Sequence, residues 1–395
     1  MVLAGLFGCD AEPTPDSSVG HACEQVMWSV NDVSLLFPLP TDETEEELLL
    51  GLSAAGSRGP LLPESVYVEH IEGPFGGLWE GPGIDEGYDA SRIIAVRLDP
   101  CAEAAGSSDD APCVRELRLS AQPFYNGDVD AALHLIYRPS EEEYEEILTG
   151  LAALRSYAQD GDAEAPLGPH PVMTREGLAG PFADDLKALI SNHAGADNLV
   201  RVTAMTRGRN STNWSFIVMD RDPATDTYSR VPIPATGGAL LQGVDEIGGF
   251  GVGGSRHTTI TPLDPAIGYP EALLRSADVD TLSTHELQQA LGRLASFEDP
   301  TRHSAATLDC ASCHLANSRG FYEAFTATTT DPALVTFAAP PDQNTTRIDG
   351  TDLTGRSLRA FGYFEGNVAV SQRTINESAA IAHRLSQSCF GDPAP

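Results

Sequence analysis

The sequence predicts a multidomain α+β protein, with a β-rich N-terminal region that contains a few helices and a small, mainly α-helical domain at the C-terminus. The chain of 395 residues is too long for one small domain. Up to about residue 275, short runs of β-branched and apolar residues lie between prolines, glycines and aspartates, which is typical of strands. From residue 281 onwards, apolar residues recur at helical spacing. We therefore predict four parts. Residues 1–27 are a signal remnant or tether, and residues 28–160 form an acidic β-rich domain with a C-terminal helix. Residues 170–275 form a second β-rich region that either joins this domain or stands alone, and residues 281–395 form a helical, cytochrome c-like domain.

The β-rich region is expected to contain short strands and two helices. Strand-like runs occur at Ile93–Leu98, Val114–Leu119, Ala131–Tyr137, Leu199–Thr206 and Trp214–Asp220. Ser140 and Glu143 form a capping box, which begins a helix that runs to about Leu154. Residues 158–170 indicate a linker or long loop, and a second short helix is predicted around Leu186.

The C-terminal segment is expected to begin and end with a helix. Its two apolar stripes at helical spacing are Leu287, Ala290, Leu291, Leu294 and Phe297, and then Ile375, Ala379, Ala380 and Leu385. Between the two predicted helices lie the sequence Cys-Ala-Ser-Cys-His and a long irregular stretch.

The charge of the chain excludes several classes of function. It carries 57 acidic and 24 basic side chains, for a net charge of −33, and such a polyanion is repelled by phosphate backbones and anionic lipid surfaces. Nucleic acid is therefore not expected as a partner. No apolar run reaches the roughly 18 residues of a membrane span, so we expect membrane contact only through a lipid anchor.

The motif that carries chemistry is C-x-x-C-H at Cys310, Cys313 and His314, the spacing of c-type haem attachment. Two thiols three positions apart on one turn can add to the two vinyl groups of one porphyrin, and the next residue then presents its imidazole to the iron. With 7 Cys and 10 His in the chain, random placement predicts about 0.003 such matches. The alternatives are a disulfide between the two cysteines and a zinc site, which needs four ligands.

Residues 281–395 resemble a monohaem cytochrome c domain, a family with an amphipathic helix before the motif and a second helix packed across it at the C-terminus. The resemblance covers under a third of the chain and rests mainly on the five motif residues. It implies one covalent haem c, with Cys310 and Cys313 as thioether attachment points and His314 as the proximal iron ligand.

Common monohaem cytochromes use a methionine downstream of the motif as the sixth iron ligand, and this sequence departs from that pattern. All five methionines lie before Cys310. His383 and His303 are therefore the histidine candidates, with His285 as a further alternative, and an open site is the remaining one. The aromatic residues Phe361, Tyr363 and Phe364 either wall the haem or belong to an ordinary core strand.

The other cysteines indicate export. Cys101 and Cys113 bracket a polar loop between two strand-like runs, where a disulfide would close the mouth of a hairpin, and Cys23 would then pair with Cys389 by elimination. Disulfides form in oxidising compartments.

The N-terminus resembles the end of a bacterial lipoprotein signal, in which a small residue precedes the cysteine that becomes lipidated. Here the run Leu6-Phe7-Gly8 precedes Cys9, although only eight residues precede Cys9 and none is basic. An ordinary cysteine in a floppy tail is the alternative. The resemblance implies a chain in the periplasm or at the cell surface, anchored by lipid at Cys9.

These features predict an exported, lipid-anchored electron carrier whose acidic surface favours a basic redox partner protein. A haem enzyme or gas sensor with an open iron site is one alternative, and a cell-surface binding protein with an auxiliary haem is another.

Two other motif-like patterns do not indicate a site. The glycine pattern at residues 249–254 fits a dinucleotide motif, but a β-like run ending in proline follows it where a helix is required. His285 and Glu286 begin a zinc-protease motif that lacks its second histidine.

Overall fold

The structure is a computed structural model of the chain. It describes residues 26–72, 85–102, 114–124, 130–207, 213–247, 257–261, 283–305, 307–314, 316, 358–364 and 366–387.

A nine-stranded antiparallel sheet dominates these residues. The strand order is β1-β4-β5-β6-β7-β8-β10-β11, and β9 pairs with β8 outside this path. The strands are β1 (Ser34–Leu36), β4 (Ser91–Ala102), β5 (Val114–Pro123), β6 (Asp130–Tyr137), β7 (Leu199–Arg207), β8 (Asn213–Asp222), β9 (Thr227–Arg230), β10 (Gln242–Ile247) and β11 (His257–Thr261). Two small hairpins accompany the sheet, formed by β2 (Ala55–Gly56) with β3 (Gly59–Pro60) and by β12 (Phe361–Phe364) with β13 (Asn367–Val370).

The helices of the described residues are mostly short. They are α1 (Val30–Val33), α2 (Glu43–Glu46), α3 (Glu64–Val66), α4 (Asp85–Ala90), α5 (Glu141–Leu154), α6 (Pro171–Glu176), α7 (Pro181–His193), α8 (Thr284–Ser296), α9 (residues 310–314) and α10 (Gln372–Gln387). A π-helix at Tyr67–Glu72 and a 3₁₀ turn at Arg155–Tyr157 complete the set. None of these helices combines the length and the apolar character that a membrane crossing requires.

Alternation along the strands gives the sheet two distinct faces, because successive side chains point to opposite sides. We call one the apolar face; it includes Leu117, Leu119, Leu133, Leu135 and Val202, which lie in one continuous core. Helices α5 and α7 cover this face, and their Ile147 and Leu186 surround a small gap together with Leu98 and Leu117. The capping box predicted at the start of α5 is confirmed, since Glu143 N donates to Ser140 Oγ at 3.3 Å and Ser140 N donates to the Glu143 carboxylate at 2.8 Å.

The opposite side, which we call the motif face, carries Arg118, Ser120, His134, Thr203 and Met205. Register aligns these residues across strands: Ser120 pairs with His134, and His134 pairs with Thr203. Helix α9, the β12–β13 hairpin and α10 lie on this side. Ala311 of α9 packs in a cluster with Met205, Trp214 and Phe216.

The predicted fold class, with a small helical cytochrome c-like domain at the C-terminus, is wrong. One large antiparallel sheet dominates the described residues, and the described parts of 281–395 pack onto it. Phe361 and Tyr363 of β12 share the main core with Leu35 and Leu133, and Tyr363 Oη donates to the Phe37 carbonyl at 2.7 Å. The aromatic run is therefore an ordinary core strand. The helices expected at both ends of the segment do form, as α8 and α10, but they are not packed into a separate bundle.

Candidate functional site

The motif helix α9 begins at Cys310 because Asp309 caps it. Asp309 is fully buried, and its Oδ1 accepts a hydrogen bond from Ser312 N at 3.0 Å, while its Oδ2 accepts one from the Ser312 hydroxyl. An aspartate at this position satisfies the free N–H groups of the first turn. The cap thus fixes where the first motif cysteine lies.

Gln242, the first residue of β10, fastens this helix to the sheet. Its Nε2 donates to Asp309 Oδ1 at 2.6 Å, and its Oε1 accepts from Ala311 N at 2.9 Å. Gln242 is completely buried, so both bonds are shielded from water. One side-chain amide therefore sets the position of the motif helix on the motif face.

His314 is oriented by the carbonyl group of Leu358, the residue three positions before β12. His314 Nδ1 is hydrogen-bonded to this oxygen, and a carbonyl can only accept, so Nδ1 carries the proton. The lone pair is then on Nε2, which is the tautomer that a metal-binding imidazole needs. Burial lowers the pKa of His314, which also favours the neutral ring.

A small cavity of about 20 Å³ opens between the motif helix and the sheet. Cys310 and His314 line it from the helix, and His134, Met205 and Phe216 line it from the strands. The rings of His134 and His314 have centroids 6.2 Å apart and planes within 18° of parallel. The volume suffices for about one water molecule, so a porphyrin at this place requires a wider separation of helix and sheet.

The two motif thiols are free and poorly ionised. Cys310 and Cys313 form no disulfide, and burial raises their pKa values to about 12 and about 11. A reactive dithiol needs a lowered pKa, since the thiolate is the nucleophile and the metal ligand. The described residues also contain no group of three or more His, Cys, Asp or Glu side chains that could hold a metal ion. The raised pKa values of the two thiols disfavour dithiol exchange at this site.

The donor groups that a covalently attached haem needs are present, although the cavity between helix and sheet is too small for a porphyrin ring. Thioether formation uses neutral or ionised thiols that are free, and the axial bond uses a neutral imidazole with Nε2 available; the motif helix offers all three groups within one turn. The residues that would hold the group are Cys310, Cys313 and His314.

Helix α10 holds the segment that leads into the motif. Arg373 is buried and donates to the carbonyl groups of Phe297 at 2.7 Å and of His303 at 2.6 Å. Its Nε also lies 2.7 Å from a Glu377 carboxylate oxygen, and Arg97 binds the other oxygen at 2.9 Å. Burial alone would raise the pKa of Glu377, but Arg373 and Arg97 hold it down to about 2. This buried charged cluster stays ionised at neutral pH.

The histidines predicted as sixth iron ligands are not among the described residues whose rings contact the ring of His314. His383 is exposed on α10, with its Nε2 2.8 Å from the Gln387 amide nitrogen. His303 packs its ring against Phe297 at 5.3 Å, and His285 is exposed on α8. The ring neighbours of His314 are instead His134 and Phe216, at 6.2 Å and 5.4 Å.

His134 is therefore the site residue that the sequence did not reveal. It is a single histidine within an apolar strand, and its local signal is only that it alternates with Leu133 and Leu135. Burial, with smaller contributions from His314 and nearby arginines, lowers its pKa to about 3, so the ring is neutral.

Several other predicted sites lie wholly or partly outside the described residues. Cys101 is disulfide-bonded, but Cys113 lies outside the described residues, so the pairing of the two stays a prediction. The same holds for the pair of Cys23 with Cys389, for lipidation of Cys9 and for the glycine pattern at 249–254.

No protein-family model matches this chain, and no match is found among curated proteins or solved structures.

Proposed function

We propose that this chain carries one haem c, bound covalently through Cys310 and Cys313 with His314 as an axial ligand, and that it acts in electron transfer. The observation that carries the proposal is the hydrogen bond between His314 Nδ1 and the Leu358 carbonyl, in a helix whose two motif thiols are free. This tautomer leaves the Nε2 lone pair free, as an iron-binding imidazole requires. The bound group would supply a one-electron ferric–ferrous couple.

The residues around the motif have separate tasks in this proposal. Asp309 and Gln242 fix the helix on the sheet, and the Leu358 carbonyl orients the ligand ring. Phe216 and Met205 exclude water from the side that faces the sheet. Burial of a redox centre among apolar side chains changes its potential and limits side reactions.

Export and anchoring belong to the same proposal. A disulfide at Cys101 supports an oxidising compartment, and the sequence at Cys9 supports a lipid anchor at the periplasmic side or the cell surface. The net charge of −33 favours a basic redox partner, with association that weakens as salt is added.

The proposal is tested by producing the chain with and without the cytochrome c maturation machinery. We expect the matured protein to gain the mass of one haem and a Soret band that survive denaturation, and we expect Cys310→Ala/Cys313→Ala to gain neither. Ser312→Ala, at a variable motif position, is the matched control and should still carry the group. A colourless, unmodified chain after maturation would refute haem attachment.

The electron-transfer part is tested on the same material. We expect reversible reduction and reoxidation, six-coordinate low-spin bands, and no change on adding carbon monoxide. High-spin bands that respond to carbon monoxide or peroxide would instead indicate an enzyme or sensor with an open iron site, and would contradict the role of electron carrier.

A further inference from the structure

We infer that a second cavity, on the side of the sheet covered by α5 and α7, is a binding site for a small neutral molecule that carries both a hydrogen-bond donor and an acceptor, such as a short carboxamide or alcohol. We call it the α1 cavity; Asn31, Leu35, Leu151, His170 and Phe182 are among the residues that line it. The inference goes beyond the proposed function, because this cavity shares no residue with the small cavity beneath the motif helix.

The α1 cavity has room for a small organic molecule. Its volume is about 80 Å³. An engineered apolar cavity of about 150 Å³ binds benzene, so about half that volume takes roughly three or four non-hydrogen atoms. Ala158 and Ala163 also line the cavity and are exposed, so a ligand can enter from solvent. The buried apolar side chains of its wall are Leu35, Leu151, Leu154, Val172 and Phe182.

Asn31 of α1 provides a fixed hydrogen-bond acceptor in the α1 cavity. Its Nδ2 donates to the carbonyl oxygens of Ala165 at 2.9 Å and Pro166 at 3.4 Å, and an inverted amide would place oxygen against oxygen. Its Oδ1 is buried and has no hydrogen-bond partner among the described residues, which is costly. Because an amide oxygen only accepts, the matching ligand brings an N–H or O–H group.

His170 provides a second buried polar atom without a partner beside the same cavity. Its Nδ1 has no hydrogen-bond partner among the described residues, and its ring stacks on Phe182 with centroids 4.4 Å apart. The backbone N–H of His170 donates to the Leu36 carbonyl at 2.8 Å, which holds the residue against β1. A neutral imidazole nitrogen donates in one tautomer and accepts in the other, so a ligand with both kinds of group satisfies it in either form.

The charges around the α1 cavity are already paired, which favours a neutral ligand. Arg155 Nε lies 3.4 Å from Asp32 Oδ2, and Arg175 Nη1 lies 3.1 Å from Asp162 Oδ2. Burial lowers the pKa of His170 to about 4, so its ring adds no charge at neutral pH. An ionic ligand would lose its hydration without gaining an opposite charge.

Water alone fits the α1 cavity less well than such a molecule. A buried water needs about two to four polar partners, and a volume of about 80 Å³ takes more than one water. Within the described part of the chain, the buried side-chain atoms without a partner that line the cavity are those of Asn31 and His170. A molecule with a short apolar body places its methyl group against the apolar wall and its polar groups on these two atoms.

The test uses the whole chain and three probes of nearly the same shape: acetamide, acetone and acetate. Titrations are followed by nuclear magnetic resonance of the Leu and Val methyl groups. We expect acetamide to shift the methyl signals of Leu151, Leu154 and Val172 and to saturate with a Kd in the millimolar range, because so small a ligand makes few contacts. Acetone has no donor for Asn31 and acetate carries a charge, so each should bind at least about tenfold more weakly.

Two phenylalanine variants examine the role of His170. His170→Phe keeps a ring against Phe182 but removes Nδ1, and it should weaken acetamide binding by about fivefold or more. His193→Phe is the matched control, because His193 is also buried but does not line the α1 cavity, and it should bind acetamide as the wild type does. If His170→Phe is poorly folded by circular dichroism, the comparison of the three probes on the wild type decides.

Two results would overturn the inference. If no probe gives saturable shifts of the cavity methyl groups, water or another part of this chain fills the α1 cavity. If acetone or acetate binds as tightly as acetamide, Asn31 and His170 do not select a neutral molecule with a donor. Neither result bears on haem attachment, which concerns the opposite side of the sheet.

Discussion

The two faces of the sheet are built by the same strands but bury different chemistry. On β6, Leu133, Leu135 and Tyr137 point into a continuous apolar core under α5 and α7, while Ala132 and His134 point towards the motif helix. Burying a polar side chain costs free energy unless it finds a partner. The motif face buries polar groups that have such partners, Gln242 and Asp309 among them. The apolar face therefore contributes apolar packing, whereas the motif face holds the motif helix through buried hydrogen bonds.

The largest expected effect lies on the apolar face. Leu135 is completely buried, and Leu135→Ala should lower the free energy of unfolding by about 3 kcal/mol, from lost transfer energy and the remaining cavity. The measurement is urea unfolding followed by circular dichroism. Thr203→Ala, at a partly buried position on the motif face, should cost under about 1 kcal/mol. Equal losses of unfolding free energy in the two variants would contradict the proposed difference between the two faces.

Most strands and helices of the apolar side could be predicted because their signals are local. Alternation in β5, β6 and β8 and the capping box of α5 lie within a few residues of sequence. The fold class could not be predicted, because α10 carries buried polar residues such as Arg373 and Asn376, whose partners are carbonyl groups about 75 residues earlier. A helix with such a surface gives no sequence signal for the sheet that it covers.

The candidate site was predictable only in part, for the same reason. Cys310, Cys313 and His314 form a contiguous motif. His134 lies 180 residues before His314, and long-range contacts of the motif helix with the sheet, such as those of Gln242, bring the two rings together. A single histidine in an apolar strand is usually an ordinary core residue, so no pattern in the sequence distinguishes it.

Replacing Arg373 measures how much a buried charged residue on the motif face contributes to the free energy of unfolding. Arg373→Ala would leave two carbonyl groups without their donor and would weaken the ion pairing of Glu377, and we expect a loss of about 2 kcal/mol in the free energy of unfolding. Arg302→Ala is the matched control, because Arg302 is 68% exposed and pairs with Asp299 at 3.3 Å; an exposed pair is worth about 0–1 kcal/mol. If the two arginine variants unfold at the same urea concentration, the buried cluster does not support the motif segment.

His170, a buried histidine on the side of the sheet covered by α7, extends the comparison to the pH dependence of stability. Its ring packs on Phe182 at 4.4 Å, and burial lowers its pKa to about 4. The unfolded chain binds a proton below about pH 6.5 while the folded one does not, so stability falls as the pH drops, by about 2 kcal/mol between about pH 7 and pH 5. His170→Gln should flatten the stability profile in this window by that amount, measured by urea unfolding at each pH. His383→Gln, at an exposed position, should leave the profile unchanged, and a wild-type slope in His170→Gln would contradict the assignment.

Gln242 gives the smallest expected change in stability and the most specific one in function. Gln242→Leu keeps the size of the side chain but removes both hydrogen bonds to the motif helix, at a cost of about 1 kcal/mol in the free energy of unfolding. Because these bonds hold the motif helix on the sheet, a chain that carries haem as proposed should still acquire it in this variant, yet show a mixture of low-spin and high-spin ferric spectra. Gln372→Leu, a buried glutamine on α10, is the control and should keep a pure low-spin spectrum. If Gln242→Leu is as purely low-spin as the wild type, the motif helix does not depend on the sheet for its position, and the motif face would be only a cover for the haem.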